Sequence, residues 1–190
     1  RRDIKTSSSK DFIQWTAGKW LDYGSAPPEH LYTNQFDPYV RAPHIYLGLP
    51  TRYLPGRRVL TDDEARRIGT PTKWNYVNDC TDILLASARG GYNFQRTFME
   101  AFIRPGEDLQ NWTSRANYAA RGIVQTGPRE LSLYVKHHSG YHSNHVRRYV
   151  IRPDGFVSVA LHAPTSGVVR RIGLAPNISG RMAPSIFIEP

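Results

Sequence analysis

Five acids stand beside the short apolar runs of this sequence: Glu29, Asp37, Asp79, Asp82 and Glu100. Two carboxyls that meet in one concave site can hydrolyse a glycosidic bond. One stays neutral and protonates the leaving oxygen; the other, ionised, attacks the ring or activates water, at a separation of about 5–9.5 Å. Glu29 stands just ahead of His30-Leu-Tyr-Thr, where a strand is expected to begin, and is the first choice for the general acid. The alternative is a loop carboxylate after Pro27-Pro28. Asp82 opens an apolar strand after Asn78-Asp-Cys-Thr81, as the second acid or as a turn cap that accepts backbone N–H groups. Glu100 lies between Phe98 and Phe102 on one expected face, where a charge needs a partner such as Arg104 or Arg52. It reads as a site-organising ion pair.

Other side chains are suited to binding rather than bond breaking. Arg41, His44 and Arg52 flank one expected strand pair, and can donate hydrogen bonds to sugar hydroxyls, sulfate or carboxylate. Trp15, Trp20, Trp74 and Trp112 can stack on sugar rings or plug a core, and Trp74 is the one expected to be exposed. His137, His138, His142 and His145 form a local cluster. It has no nearby Cys and no regular ligand spacing, so His137 and His138 are assigned to polar substrate contacts. No metal or cofactor is expected.

The elements that must position these groups are short β-rich runs between turn signals. His44–Leu49, Asp82–Ser87, Phe98–Ile103, Gly122–Thr126 and Glu130–Val135 read as strands, and residues 147–159 as a hairpin across Pro153-Asp-Gly155. One helix is expected at Thr61–Ile68, where Thr61 and Glu64 form a capping box, inside an insertion at about 55–78. An internal repeat ties the runs together. Ser8–Trp15 aligns without gaps on Ser87–Phe94, each a polar turn that ends on an aromatic, with a shorter echo at 152–157. Repeated hairpins of this kind suit four-stranded blades, in which the final aromatic plugs the packing.

The turn Ser8-Ser-Lys-Asp-Phe-Ile-Gln-Trp15 resembles those of five-bladed glycoside hydrolases of the invertase and arabinanase type. The stretches Leu31–Asn34, Tyr39–Gly48, Phe98–Gly106 and Glu130–Tyr134 are similar to a bacterial branch of that superfamily. The resemblance covers about residues 1–160. It implies an all-β fold, a five-bladed β-propeller of four-stranded antiparallel blades, present here in part, with a carbohydrate site in the axial funnel. It also implies that three acids come from the first three blades. Arg41-Ala-Pro43 keeps only the flanks of the stabiliser motif and lacks its acid, so the expectation is a partial chain without the first blades. Residues 161–190 would be a closing strand, a linker or the start of a further β segment.

Composition narrows the function classes. The net charge is +9, but the arginines are scattered in pairs such as Arg57-Arg58 and Arg147-Arg148, without the contiguous basic run of a phosphate track. Nucleic acid is therefore not expected as a partner. No apolar run approaches the roughly 20 residues of a membrane span, so no membrane partner is expected. The single cysteine, Cys80, excludes an internal disulfide. The sequence thus reads as a glycoside-hydrolase-like propeller that acts on a carbohydrate, an acidic polysaccharide among the options. The alternative is a non-catalytic carbohydrate- or protein-binding propeller module that pairs with further blades or another chain. Localisation is left open, with secreted or periplasmic settings in view.

Overall fold

The computed structural model describes residues 2–57, 60–69, 79–96 and 99–152, and the backbone of 168–176 and 182–189. The chain divides into two compact units, Arg1–Arg152 and Pro153–Pro190. The described elements are almost all antiparallel strands, with two helices of six residues each, so the protein is all-β.

In the first unit β1 (Lys5–Thr6) pairs with β2 (Lys19–Trp20). The strands β3 (His30–Leu31) and β4 (Phe36–Tyr39) enter different sheets, as do β5 (Ala42–Gly48) and β6 (Thr51–Leu54). One three-stranded sheet runs β3-β6-β7, with β7 at Cys80–Ile83; another runs β4-β5-β8, with β8 at Ala86–Ala88. A four-stranded sheet follows from β9 (Tyr118–Ala119), β10 (Val124–Gly127), β11 (Glu130–His137) and β12 (His145–Ile151), each pairing through β11. The second unit is a hairpin of β13 (Val168–Pro176) and β14 (Met182–Glu189).

Two apolar clusters hold the first unit. One joins Ile4, Leu21, Leu31, Leu84, Ala88 and Phe94; the other joins Leu49, Ile83, Ile103, Ala119, Leu133 and Val135. Ile83 belongs to one and Leu84 to the other, which explains the nearly unbroken apolar run there: a segment buried on both sides has no polar face to alternate with. The expected strand Asp82–Ser87 is split at Leu84-Leu85 into β7 and β8, because its halves pair in different sheets. Gly48 faces Phe36 across β4 and β5, and a Cβ there would fall inside the ring's van der Waals envelope.

The helix α1 (Asp62–Arg67) carries the capping box expected of it. The Glu64 backbone N–H donates to Thr61 Oγ1 at 3.2 Å, and the Thr61 N–H donates to Glu64 Oε2 at 2.8 Å. The helix α2 (Leu109–Ser114) was not legible. Its sequence Leu-Gln-Asn-Trp-Thr-Ser is a poor helix former, and it is held by tertiary contact. Asn111 is fully buried there; its Nδ2 donates to Asn117 Oδ1 at 3.0 Å, and its Oδ1 accepts from the His138 N–H at 3.2 Å. Asn111 is thus a packing residue.

The two halves of the repeat close alike. The Thr16 N–H donates to Ser8 O at 2.9 Å, and at the aligned positions the Gln95 N–H donates to Ser87 O at 2.7 Å. Phe12 and its aligned Gly91 both take positive φ, 60° and 72°. The terminal aromatics differ. Phe94 is buried as a plug, whereas Trp15 is exposed and packs edge-on against Phe12 at 5.7 Å. Phe98–Ile103 is not a strand in its described part: Met99 and Glu100 lie in a bend, and Ile103 alone bridges to Ile83.

Candidate functional site

The β3-β6-β7 register brings the first-choice acids together. Leu31 pairs with Arg52 and Arg52 with Asp82, so Arg52 and Asp82 project from the same side of adjacent strands. Arg52 grips Asp82 side-on, Nε to Oδ1 at 2.9 Å and Nη2 to Oδ2 at 2.7 Å. Its Nη1 donates to Glu29 Oε1 at 2.7 Å and to Met99 O at 3.2 Å. Arg96 donates to the other Glu29 oxygen, and its Nη2 reaches Met99 O at 3.1 Å. The result is an alternating chain Asp82–Arg52–Glu29–Arg96 with side-chain exposures of 8, 12, 18 and 2%. Charges so far from water persist because each meets an opposite one through directed hydrogen bonds.

Beyond Glu29 and Arg96 lies a cavity of about 130 Å³, whose walls include Asp3, Asp22, Tyr23 and Leu31. The Tyr23 hydroxyl and the Arg96 Nε are buried without a hydrogen-bond partner among the described residues. Burial, reinforced by the Asp3 charge, pushes the Tyr23 phenol well above its ordinary range. Burial also lowers the Arg96 guanidinium from its usual value.

Asp82 is not a backbone cap, since both its oxygens accept from Arg52. Arg41 and His44 do not join this cluster. They lie at the β4–β5 turn and on β5, in a different sheet from Arg52; Arg41 Nη2 donates to Pro128 O at 2.5 Å, and His44 is exposed. Glu100 pairs with Arg104 on the exposed surface rather than organising the site, because the bend turns it away from the core. Trp74 lies outside the described residues. Asp37 binds Arg121 through two nitrogens, and Asp79 accepts from the Tyr53 hydroxyl at 2.7 Å.

The histidine loop forms a separate group at the end of the β11–β12 hairpin. His137 is buried, and its Nε2 is hydrogen-bonded to the Tyr149 hydroxyl at 2.8 Å. Burial, then the charges of Arg147, His145 and His138, lower its basicity below the ordinary imidazole value. His138 Nε2 lies 2.8 Å from Asp108, and its Nδ1 lies 2.9 Å from Ser143 Oγ. Hydrogen bonding from the Asn111 N–H, with His138 nearby, holds the Asp108 carboxyl below its usual range. No group of three or more metal-ligating side chains occurs among the described residues. The loop is fastened to α2 and joins strands of a different sheet from β3, which follows Glu29.

The residues not legible beforehand are Arg96, Tyr23, Asp3 and Asp22. Arg96 carried one signal: the repeat aligns it with Ala17, a change from a methyl group to a guanidinium just past the conserved pattern of the turn. The chain matches no protein-family model, no curated protein and no solved structure.

Proposed function

We propose that this chain is a carbohydrate-recognising segment of a glycoside-hydrolase-like β-propeller, and that the residues present bind a glycan without cleaving it. The observation that carries the reading is the wall of the cavity. Glu29 and Arg96 form part of it, and Asp22 stands in the same lining. Sugar sites are built from such convergent polar groups on a partly apolar surface, here supplied by Leu21 and Leu31. The propeller architecture is supported by the matched closure of the Ser8–Thr16 and Ser87–Gln95 hairpins and by the antiparallel sheets around two cores.

Binding is favoured over hydrolysis by the hydrogen-bond directions. A general acid donates a proton, and each Glu29 oxygen already accepts one from a guanidinium. Asp82 is likewise occupied at both oxygens. The second reading is hydrolysis by Glu29 and Asp82. It is favoured by the convergence of these two distant carboxylates on one guanidinium. An acidic polysaccharide would need guanidiniums open to sulfate or uronate, and every nitrogen of Arg52 is engaged.

A glycan-array screen paired with a reducing-end assay on neutral, uronic and sulfated polysaccharides tests the proposal. Binding with no released ends is expected. Release that disappears in Glu29→Gln would transfer the chain to the second reading, and a blank array would remove the carbohydrate reading altogether.

A further inference from the structure

We infer that the groove between the two repeated turns is a second sugar site, one that takes an acidic, uronate-bearing oligosaccharide. The inference goes beyond the cavity at Glu29 and rests on the carbohydrate reading only for the class of its ligand.

The groove has a volume of about 660 Å³, within the roughly 300–1,000 Å³ usual for ligand sites. The repeat builds it. Ser8 and Thr16 come from the closing end of the first turn, and Gly91, Tyr92 and Phe94 from the second. The backbone ties the two together just past β2: the Asp22 N–H donates to Tyr92 O at 2.7 Å, and the Phe94 N–H donates to Asp22 O at 2.7 Å. The apolar part of the lining belongs to the first core cluster. Ile4, Leu21 and Phe94 are buried there, and Phe36 packs against them. Phe36 and the exposed Tyr46 give ring surface to the C–H groups of a sugar. Hydroxyls recur around this surface, at Thr6, Ser7, Ser8, Thr16, Tyr46 and Tyr92. Ser7, Asn34 and Tyr92 are exposed, so they trade water for a sugar hydroxyl without stranding a buried group.

Charge selects among sugars. Lys5 and Lys19 line the groove, and no aspartate or glutamate does so among the described residues. Neither lysine has a carboxylate partner among those residues. The Lys5 ammonium lies over the Trp20 ring at 4.2 Å, and the Lys19 ammonium lies over the Tyr92 ring at 5.1 Å. A cation on an aromatic face keeps its charge, and a cleft lined by one sign of charge draws the opposite one. Since Lys19 and Tyr92 both line the groove, that ammonium is the one placed to meet a ligand carboxylate. The Arg52 guanidinium is closed to an anion by its own carboxylates, whereas Lys19 is open to one. A uronate sugar answers the whole lining: its hydroxyls meet Ser7, Asn34 and Tyr92, its C–H groups meet Phe36 and Tyr46, and its carboxylate meets Lys19.

The test is a backbone amide NMR titration of the full chain with a uronic-acid trisaccharide, its carboxyl-reduced neutral counterpart and a hexaglutamate peptide, reading Ala17 and Gly91, which line the groove. The uronide should shift both resonances saturably and bind about tenfold more tightly than its neutral counterpart, the worth of one charge-assisted hydrogen bond. That advantage should shrink as salt is raised, because exposed charges are screened. Lys19→Met should remove most of the advantage, and Lys19→Arg should restore it. The wild-type map needs no variant, so poor folding of either one leaves the test intact. No shift with the uronide overturns the inference. Equal affinity for the uronide and its neutral counterpart overturns the charge selection, and tighter binding of hexaglutamate makes the groove a peptide site instead. Glycans that bind on the array while the uronide leaves Ala17 and Gly91 unmoved overturn the groove alone and leave the carbohydrate reading standing. A uronide that shifts both resonances beside an array blank for every neutral glycan does the reverse: it supports the groove and removes the neutral cavity site.

Discussion

Replacing Arg52 with methionine keeps much of the side chain's length and removes the guanidinium on which the site turns. Glu29 would keep Arg96, but Asp82 would lose both hydrogen bonds that Arg52 gives it while staying 8% exposed. Removing one partner of a buried pair leaves an uncompensated charge and costs about 3–5 kcal/mol. Arg52 itself is 12% exposed, so solvent screening relieves little of that cost. In a unit of this size 1 kcal/mol corresponds to about 2–4 °C of melting temperature, so the variant should melt on the order of 6–20 °C lower. Removing the stranded charge as well, in Arg52→Met/Asp82→Leu, should recover most of the loss, because a well-packed apolar pair is often as stable as the ion pair it replaces. Urea unfolding followed by tryptophan fluorescence measures all four corners of the cycle. A single-variant loss below about 1 kcal/mol, typical of exposed pairs, or a double variant whose losses simply add, would refute the view that Arg52 and Asp82 form one buried unit.

Two further outcomes follow from packing and protonation. Gly48→Ala should destabilise by about 1–3 kcal/mol, the usual cost of overpacking, read as a lower urea midpoint at unchanged slope. His137 has an imidazole value lowered by burial, so the unfolded chain, titrating near 6.5, binds its proton more readily. The stability this contributes is complete above about pH 6.5 and is lost as pH falls through the lowered folded value. The neighbours that set it are Tyr149, His145, His138, Arg147 and Asp108. Melts at pH 7.5 and 5.5 should show the wild type losing more than His137→Gln, and equal losses would contradict the assignment.

What the sequence made legible was local. The capping box of α1 needs only Thr61 and Glu64, three positions apart, and both bonds form. The alternating Leu131, Leu133 and Val135 of Glu130–Val135 are all buried in β11, although Ser132 between them is buried as well. The turn repeat set the closing bonds at Ser8 and Ser87, although Trp15 did not become a plug. What the sequence hid depends on register and distant pairing. Glu29 and Asp82 were singled out separately, but that they share Arg52 follows only from the pairing of β3, β6 and β7. Arg41, His44 and Arg52 lie close in sequence, yet Leu49-Pro50 carries the chain from one sheet to another between them. Phe98 and Phe102 predict a shared strand face for Glu100, but a chain that bends rather than extends has no alternating faces, and the charge lies in solvent with Arg104. Tyr23 had no local pattern, Arg96 only its place opposite Ala17 in the repeat, and the cavity that both residues line exists only in the folded chain.

The most direct test of binding without cleavage is a calorimetric titration of the wild-type chain and Glu29→Gln with the strongest neutral glycan from the array, followed by product analysis of the same solution. Saturable binding is predicted, with the glycan recovered intact and the affinity about tenfold weaker in Glu29→Gln through loss of a charge-assisted acceptor at the cavity wall. Shortened glycan in the wild-type solution and intact glycan in the Glu29→Gln solution would contradict the account and make Glu29 an acid catalyst.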